Sequence, residues 1–326
     1  MQTKAIKVVE NRKKYYAASC IVIGLGILFM IINMVRGQGA FSKDIQFTGG
    51  SLIQVNVNQS LNNDLKNELQ AITKEVTGNA NVSITSAGTT GVIITMPQTE
   101  TELRSKLFDA IKEKYSLSDD DLLSDEDVSA SISKDIKVGA IKAVIVGSIL
   151  ILIYVSFRFK DYRFGASAVA ALVHDVFVML AVYAIFRVPL NNSFIAAMLT
   201  IVGYSINDTI VLFDRIRENK VKKGVKEHEL ASIELIDESI SQTIGRSIST
   251  SFTTILFVFM LFVFGLAYGL DSLKEFAFPL IIGILSGTYS SIFVASPLWY
   301  DLSCKHAQKT ATQTKTKKRL INNKTS

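Results

Sequence analysis

The chain is 326 residues long, 48% hydrophobic and only 20% charged, with a positive mean hydropathy, a balance too apolar for a soluble protein of this size. Its net charge of +6 comes from Lys and Arg clustered beside apolar runs, which argues against a nucleic-acid-binding patch and reads as membrane topology. Cys20 in an apolar run and Cys304 in a Lys-rich tail have no CxxC or Cys/His spacing, so disulfide scaffolds and zinc sites are set aside, and no metal or cofactor is expected.

A window of about 20 residues, enough to cross roughly 30 Å of hydrocarbon, predicts a mainly α membrane protein with six spanning helices in a one-plus-five arrangement. A short N-terminal segment, 1–16, carries Lys4, Lys7, Arg12, Lys13 and Lys14 ahead of the first span, 17–35. That span is too long for a signal peptide and no small-x-small cleavage site follows it, so it reads as a retained anchor. Residues 36–137 form one large polar segment. Within it 52–57 alternates as a strand, 61–76 reads as a helix, 82–86 and 91–96 as a hairpin across Gly88 and Gly91, and 101–115 as a second amphipathic helix. This βαββα order fits a small α+β, ferredoxin-like domain. The acidic stretch Asp119 to Asp127 reads as a solvated connector into the second span, because it lacks the Gly and ligand spacing of a calcium loop.

The five remaining spans are expected at 138–157, 164–186, 193–213, 250–267 and 275–299, making a bundle over 138–299 followed by a basic tail, 300–326. Arg158, Lys160 and Arg163, and then Arg215, Arg217, Lys220, Lys222, Lys223 and Lys226, mark two loops as cytoplasmic, so both termini are expected inside and 36–137 outside. Between the fourth and fifth spans, in 219–246, Leu230, Ile233, Ile236, Ile240 and Ile244 recur at three- and four-residue steps, as in an amphipathic helix lying along the membrane surface. Small-xxx-small rows at Gly139, Ala143 and Gly147 and at Gly283 and Gly287 permit close helix contact, and Pro279 is placed to bend the last span.

Charges inside the bilayer carry the chemistry, since each costs at least a few kcal/mol there. Counted at 1.5 Å per residue from Phe194, Asp208 lies about 21 Å into the membrane, too deep for an interfacial carboxylate. Asp214 sits at the membrane edge, where Arg215 and Arg217 offer an ordinary surface ion pair. His174 and Asp175 stand mid-span in the small, apolar run Ala166 to Ala184. Such a pair serves equally as a proton relay or as an interhelical hydrogen-bond pair. Arg246 opens the fifth span ahead of Ser247, Ser249, Thr250, Ser251, Thr253 and Thr254; it can snorkel to the headgroups, but the hydroxyl face can also hold water and pair polar groups of neighbouring helices. With no Gly-Lys phosphate loop and no Ser/His/Asp or metal constellation, the chain does not read as an enzyme.

Several segments together resemble the signatures of the SecD/SecF family of protein-export membrane proteins. They are Phe47-Thr-Gly-Gly50, Ala171-Leu-Val-His-Asp175, Gly203-Tyr-Ser-Ile-Asn-Asp-Thr-Ile-Val211, Phe213-Asp-Arg-Ile-Arg-Glu-Asn219, Gln242-Thr-Ile-Gly-Arg-Ser-Ile-Ser-Thr-Ser251 and Gly287-Thr-Tyr-Ser-Ser-Ile-Phe-Val-Ala-Ser-Pro297. The short outer segment is similar to the SecF branch of the family, since SecD carries a much larger one. The resemblance implies a half-transporter of the resistance-nodulation-division type in a bacterial cytoplasmic membrane, completed by SecD into a twelve-helix bundle. Its implied partners are the translocon channel SecYEG, YajC and the translocating preprotein. It implies proton-path or gating roles for Asp208 and Arg246, extended to Asp175, His174 and Asp214, and a hinge at Phe47, Gly49 and Gly50. A small-molecule exporter sharing the bundle, or a scaffold without transport, are the competing readings.

Overall fold

The computed structural model describes residues 6–305 apart from 43, 80, 81, 160, 226–229 and 269. Lys4, Lys160, Lys226 and the tail beyond Lys305 therefore lie outside the described residues. The first long helix, α1 (Arg12–Val35), is followed by a single turn, α2 (Ile45–Thr48). A compact α/β unit comes next: β1 (Gly50–Asn56), α3 (Asn63–Thr77), β2 (Ser83–Ala87), β3 (Gly91–Met96), α4 (Thr101–Tyr115) and β4 (Leu122–Val128). Five long helices complete the chain, α5 (Ala130–Phe159), α6 (Tyr162–Phe186), α7 (Asn192–Lys222), α8 (Ile233–Ala267) and α9 (Asp271–Ser290), the last running on through a π-helical turn at Ser291–Ala295. Among the described residues six helices are long and apolar enough to cross a membrane, and the chain is a multi-pass membrane protein.

The α/β unit has a four-stranded antiparallel sheet in the order β2-β3-β1-β4, the arrangement of a ferredoxin-like fold. Alternate residues of the two central strands, Ile53, Val55, Val92, Ile94 and Met96, point to one face and meet Leu65 and Leu69 of α3 and Leu107, Phe108 and Ile111 of α4. The helix ends follow local chemistry. The Asn62 side chain accepts the N–H of Leu65 at the start of α3, and Gly78 ends it in the left-handed conformation.

Two expectations need correction here. The acidic stretch after α4 is not a solvated connector: a 3-10 turn at Asp119–Asp121 leads into β4, which pairs with β1 from Gly50↔Val128 to Val55↔Leu122. Its Asp residues are accommodated because Arg104, buried on the core face of α4, donates to Asp125 Oδ1 at 2.6 Å and lies 4.0 Å from Asp127, while Ser51 Oγ donates to Asp127 at 2.7 Å. Nor do the described residues of 219–246 form a separate surface helix. Continuous with the fifth span, α8 begins at Ile233, and its first turns bury Leu235, Ile236 and Ile240 against Phe213, Ile216, Trp299, Val8 and Val9. The apolar stripe seen in the sequence faces protein rather than headgroups, with Leu230 left 40% exposed.

In the bundle α9 packs against α6, α7 and α8, and α1 and α5 lie against α6. The two small-residue rows have different fates. A Cβ at Gly283 would run into Ile201, and one at Gly287 would sit 3.0 Å from Ser205, so α9 and α7 approach closely there. Gly139 and Gly147 of α5 face nothing within 4 Å, and that row lies open. Apolar side chains form two clusters. One, at the end nearer the α/β unit, contains Met179, Tyr183, Phe194, Ile201, Leu280 and Ile284; the other, at the far end, contains Phe159, Phe164, Leu212, Phe213, Ile292 and Trp299.

Removing a buried, paired charge is costly because its partner is left behind, although Asp125 is itself part-exposed. Arg104→Ala is expected to destabilise the α/β unit by about 2 kcal/mol, with β4 the first element to lose hydrogen-exchange protection. Unchanged protection of β4 would show that strand pairing alone holds it.

Candidate functional site

Between the two apolar clusters the bundle has a polar waist. Asp175 of α6 is 1% exposed, and its carboxylate accepts hydrogen bonds from three hydroxyls: Ser205 Oγ of α7 at 2.8 Å, Ser286 Oγ of α9 at 2.7 Å and Ser290 Oγ of α9 at 2.9 Å. His174 Nδ1 lies 3.2 Å from the same carboxylate, and its Nε2 lies 3.0 Å from Ser19 Oγ of α1. Four helices thus converge on one charge. Alongside, Thr209 and Ser291 hydroxyls sit 2.8 Å apart, and Ser291 Oγ donates to the Ser205 carbonyl at the start of the π-helical turn. Such a turn shifts the register of the ladder and often accompanies functional positions. His174 also faces a cavity of about 410 Å³ bordered by Ala18, Ser19, Val22, Val178 and Tyr289.

The sequence alone did not single out these serines as site residues. The available signal was weak but physical: Ser286 and Ser290 stand four residues apart on one helix face, where two hydroxyls at membrane depth need an acceptor.

Asp208 sits one turn beyond Ser205 on α7 and differs from Asp175 in its pairing. It is 6% exposed, and among the described residues its Oδ2 has no hydrogen-bond partner. Arg246 of α8 acts on it electrostatically. That arginine does not open a helix, as expected from sequence, but lies well inside α8. It borders a second cavity of about 410 Å³, polar in character, with Val211, Asp214, Arg215, Glu218, Gln242 and Thr243. Asp214 pairs with Arg158 of α5 at 3.2 Å, and not with its sequence neighbours; Arg215 turns instead to Glu218 and Gln242.

The hydroxyl-rich stretch of α8 divides between two faces. Ser251 bonds Thr288 of α9 at 2.6 Å, and Thr254 accepts from Tyr204 of α7 at 3.3 Å. Ser249, Thr250 and Thr253 point away from the bundle together with Gly245 and Arg246, and Thr250 and Thr253 bond back to their own helix. On α7, Thr200, Gly203 and Asn207 are likewise exposed. An amide, a guanidinium and a row of hydroxyls at this depth suit a protein surface or water, and not hydrocarbon.

Phe47 lies in α2 just before its last residue, and Gly49 and Gly50 follow with φ of 76° and 129°, in a region that favours glycine. A Cβ on Gly50 would lie 2.6 Å from the Met96 carbonyl, so the chain also needs glycine there to enter the sheet.

Asp175→Ala would strand three hydroxyls at membrane depth. At roughly 0.6 kcal/mol for each interhelical hydrogen bond it is expected to lower the stability of the detergent-solubilised chain by about 2 kcal/mol, read as a fall in Tm. Asp208→Asn, at a carboxylate whose Oδ2 lacks such donors, should leave Tm close to its original value; equal falls in the two variants would mean that the two carboxylates are held alike.

The comparisons agree with this architecture. Residues 108–305 match the family described as protein export membrane protein SecD/SecF, C-terminal. The protein translocase subunit SecF of Petrotoga mobilis is 36% identical over 283 residues, covering 85% of this chain and 90% of that one. The SecF subunit of Haemophilus influenzae is 34% identical over 301 residues, covering 90% and 85%. Among solved structures, SecDF of Thermus thermophilus, described as a translocon-associated membrane protein, superposes with a TM-score of 0.76 at 32% identity, over 90% of this chain and 38% of that longer one. The chain belongs to the SecD/SecF family of protein-export membrane proteins, and its full-length relatives are SecF subunits of the protein translocase.

Proposed function

We propose that this chain is the SecF-like half of an ion-gradient-coupled accessory complex, which uses the proton motive force to promote late-stage translocation and release of preproteins. The observation that carries the reading is Asp208: a buried carboxylate with an unpartnered oxygen, in electrostatic reach of Arg246, beside a polar face that no part of the described chain covers. SecD is the occupant proposed for that face, since SecDF joins a similar bundle to further chain. SecYEG, YajC and the preprotein complete the assembly. The membrane is the bacterial cytoplasmic one, with the α/β unit outside and both termini inside, as the Lys and Arg of the two connecting loops favour.

Protonation would remove the charge on Asp208, weaken its attraction to Arg246 and lower the cost of burying it, so that a second packing of α7 against α8 becomes accessible. One elementary charge crossing 100 mV is worth about 2.3 kcal/mol, enough to shift a two-state equilibrium by more than tenfold. His174, Asp175 and Asp214 are assigned supporting parts: His174 and Asp175 fix the helices that surround the moving carboxylate, and Asp214 lines the polar cavity on the side of α7 that Arg246 shares. No catalysis is involved.

Asp208→Asn keeps the side chain's size and cannot carry a proton. In membrane vesicles with a proton gradient, a complex carrying it should lose most of the gradient-stimulated late export while still assembling with SecD. Full stimulation with Asn at 208 would make the carboxylate a structural contact and the chain a scaffold.

A further inference from the structure

The segment joining α1 to the α/β unit is stitched to the loop between α6 and α7 in a way that its sequence does not announce. The Asp44 N–H donates to the Leu190 carbonyl at 3.0 Å, and the Leu190 N–H donates to the Ser42 carbonyl at 3.0 Å, the pattern of a short parallel bridge. Arg187 grips the same segment closer to α1, its guanidinium donating to the carbonyls of Gly39 at 3.0 Å and Gln38 at 3.1 Å. Arg187 adopts a left-handed conformation (φ 55°) as it caps α6, strain that a non-glycine residue accepts only when its surroundings hold it. A fifth bond reaches α7 itself. Gln46 Oε1 accepts the N–H of Asn192 at 2.7 Å, and Asn192 is the first residue of α7.

This places the outer end of the helix that carries Asp208 directly on α2, one residue before Phe47. Asp208 lies about 24 Å further along the same helix. The first turns of α7 are well anchored: the Asn191 side chain accepts the Phe194 N–H at 2.9 Å, and Phe194, Ala197, Met198 and Ile201 are buried. On the other side of the stitch, α2 is held to α5 by Ser133 Oγ, which donates to the Ile45 carbonyl at 3.2 Å, and Asp44 caps it through the Gln46 N–H at 3.2 Å. The covalent link from α1 passes through Gly37 and Gly39, at φ of 74° and 71°, a conformation that favours glycine.

We propose that the contact of Gln46 with the start of α7, backed by the hold of Arg187 at the end of α6 on the segment after α1, is the mechanical link that carries movement of the Asp208 helix to the α/β unit, with both side chains acting as positioning residues. It rests on the proton-coupled reading above and specifies how that reading reaches the domain outside the membrane. A shift of α7 along or across its axis displaces Asn192, hence Gln46 and α2, and Gly49 and Gly50 convert the displacement into a swing of the sheet that begins at once with β1. Two bistable elements are then joined by a rigid rod rather than by a loop.

The test uses the intact complex with SecD in vesicles, reading gradient-stimulated export and gradient-driven proton movement side by side. Gln46→Ala with Arg187→Ala is expected to cut the stimulation of export at least fivefold while proton movement and its pH profile stay as in the unaltered complex, the signature of uncoupling. Gln46→Glu, which keeps an acceptor and places a negative charge at a helix N-terminus, should retain export in the otherwise unaltered complex. Full export in the double alanine variant, or a parallel loss of proton movement and export, would overturn the link. An Asp208→Asn complex measured alongside separates the two ideas. If it still moves protons and exports normally, the proton reading fails and the link with it; if Asp208→Asn abolishes both while the double alanine variant exports fully, only the link fails.

Discussion

A carboxylate placed in hydrocarbon must be met by donors from the protein itself, and the bundle is arranged around the point where this happens to Asp175. An ion left alone at that depth would cost at least several kcal/mol. Two serines on α9 and one on α7 supply the hydroxyls, and His174 carries the connection to Ser19 on α1. Small residues make this possible. Gly283 and Gly287 let α9 lie close to α7, so that Ser205 of α7 and Ser286 and Ser290 of α9 meet the same carboxylate. The same closeness fixes the boundary between the two apolar clusters, since Ala171 and Met179 flank Asp175 on α6, and Ile284 and Ile292 flank the serine pair on α9.

With one carboxylate satisfied in this way, the contrast with Asp208 acquires meaning. Both are buried and both face α-helical neighbours, yet one is surrounded by fixed donors and the other keeps an oxygen without any among the described residues. Donors already in place hold the helices around one carboxylate together, whereas a carboxylate whose charge few donors meet changes its packing preference when the charge disappears. The division of labour proposed for the pair follows from that difference in solvation. The exposed Asn207, Arg246 and hydroxyls lie on the α7–α8 side, so in the proposed mechanism the change in packing would fall there.

Long apolar runs made the six spans legible in the sequence, because a helix that stays apolar for about 20 residues matches the thickness of a bilayer and little else. Lateral partners were less legible. The rows Gly139-Ala143-Gly147 and Gly283-Gly287 look alike, yet only the second is filled within the described chain, since a small-residue row reports permission for contact and not the identity of what arrives. The fourth strand was hidden by its own composition: Asp, Glu and Ser are poor strand formers, and β4 is held by pairing with β1 and by Arg104. Arg104 was a clue, because it shares a helix face with Leu107, Phe108 and Ile111, and a buried guanidinium demands acids. The stripe Ile233-Ile236-Ile240-Ile244 was recognised as one helix face, but periodicity cannot tell a lipid headgroup from Val8 and Val9, whose N–H groups both donate to Asp237. Asp208 and Arg246 stand out because charge at depth is a local signal, and the glycine pair through the family resemblance; the serine hub and the Gln46 stitch were missed because each is assembled from segments far apart in sequence.

A link that transmits work has to be stiffer and stronger than the step that drives it. The drive available from one proton is about 2.3 kcal/mol per 100 mV. Each hydrogen bond in the stitch between the α1 connection and the α6–α7 loop contributes a net of about 0.5–1.5 kcal/mol, and those made by the charged Arg187 somewhat more. Taken together the five bonds are of the same order as the drive, so in the proposed mechanism a displacement of α7 would move the base of the α/β unit. Compliance is placed instead where glycine allows it, at Gly37 on the tether and at Gly49 and Gly50 on the way into β1. Stiff contact at the start of α7 with soft backbone beyond it is the distribution by which, in the proposed mechanism, a small charge movement inside the membrane would become a larger rotation outside it.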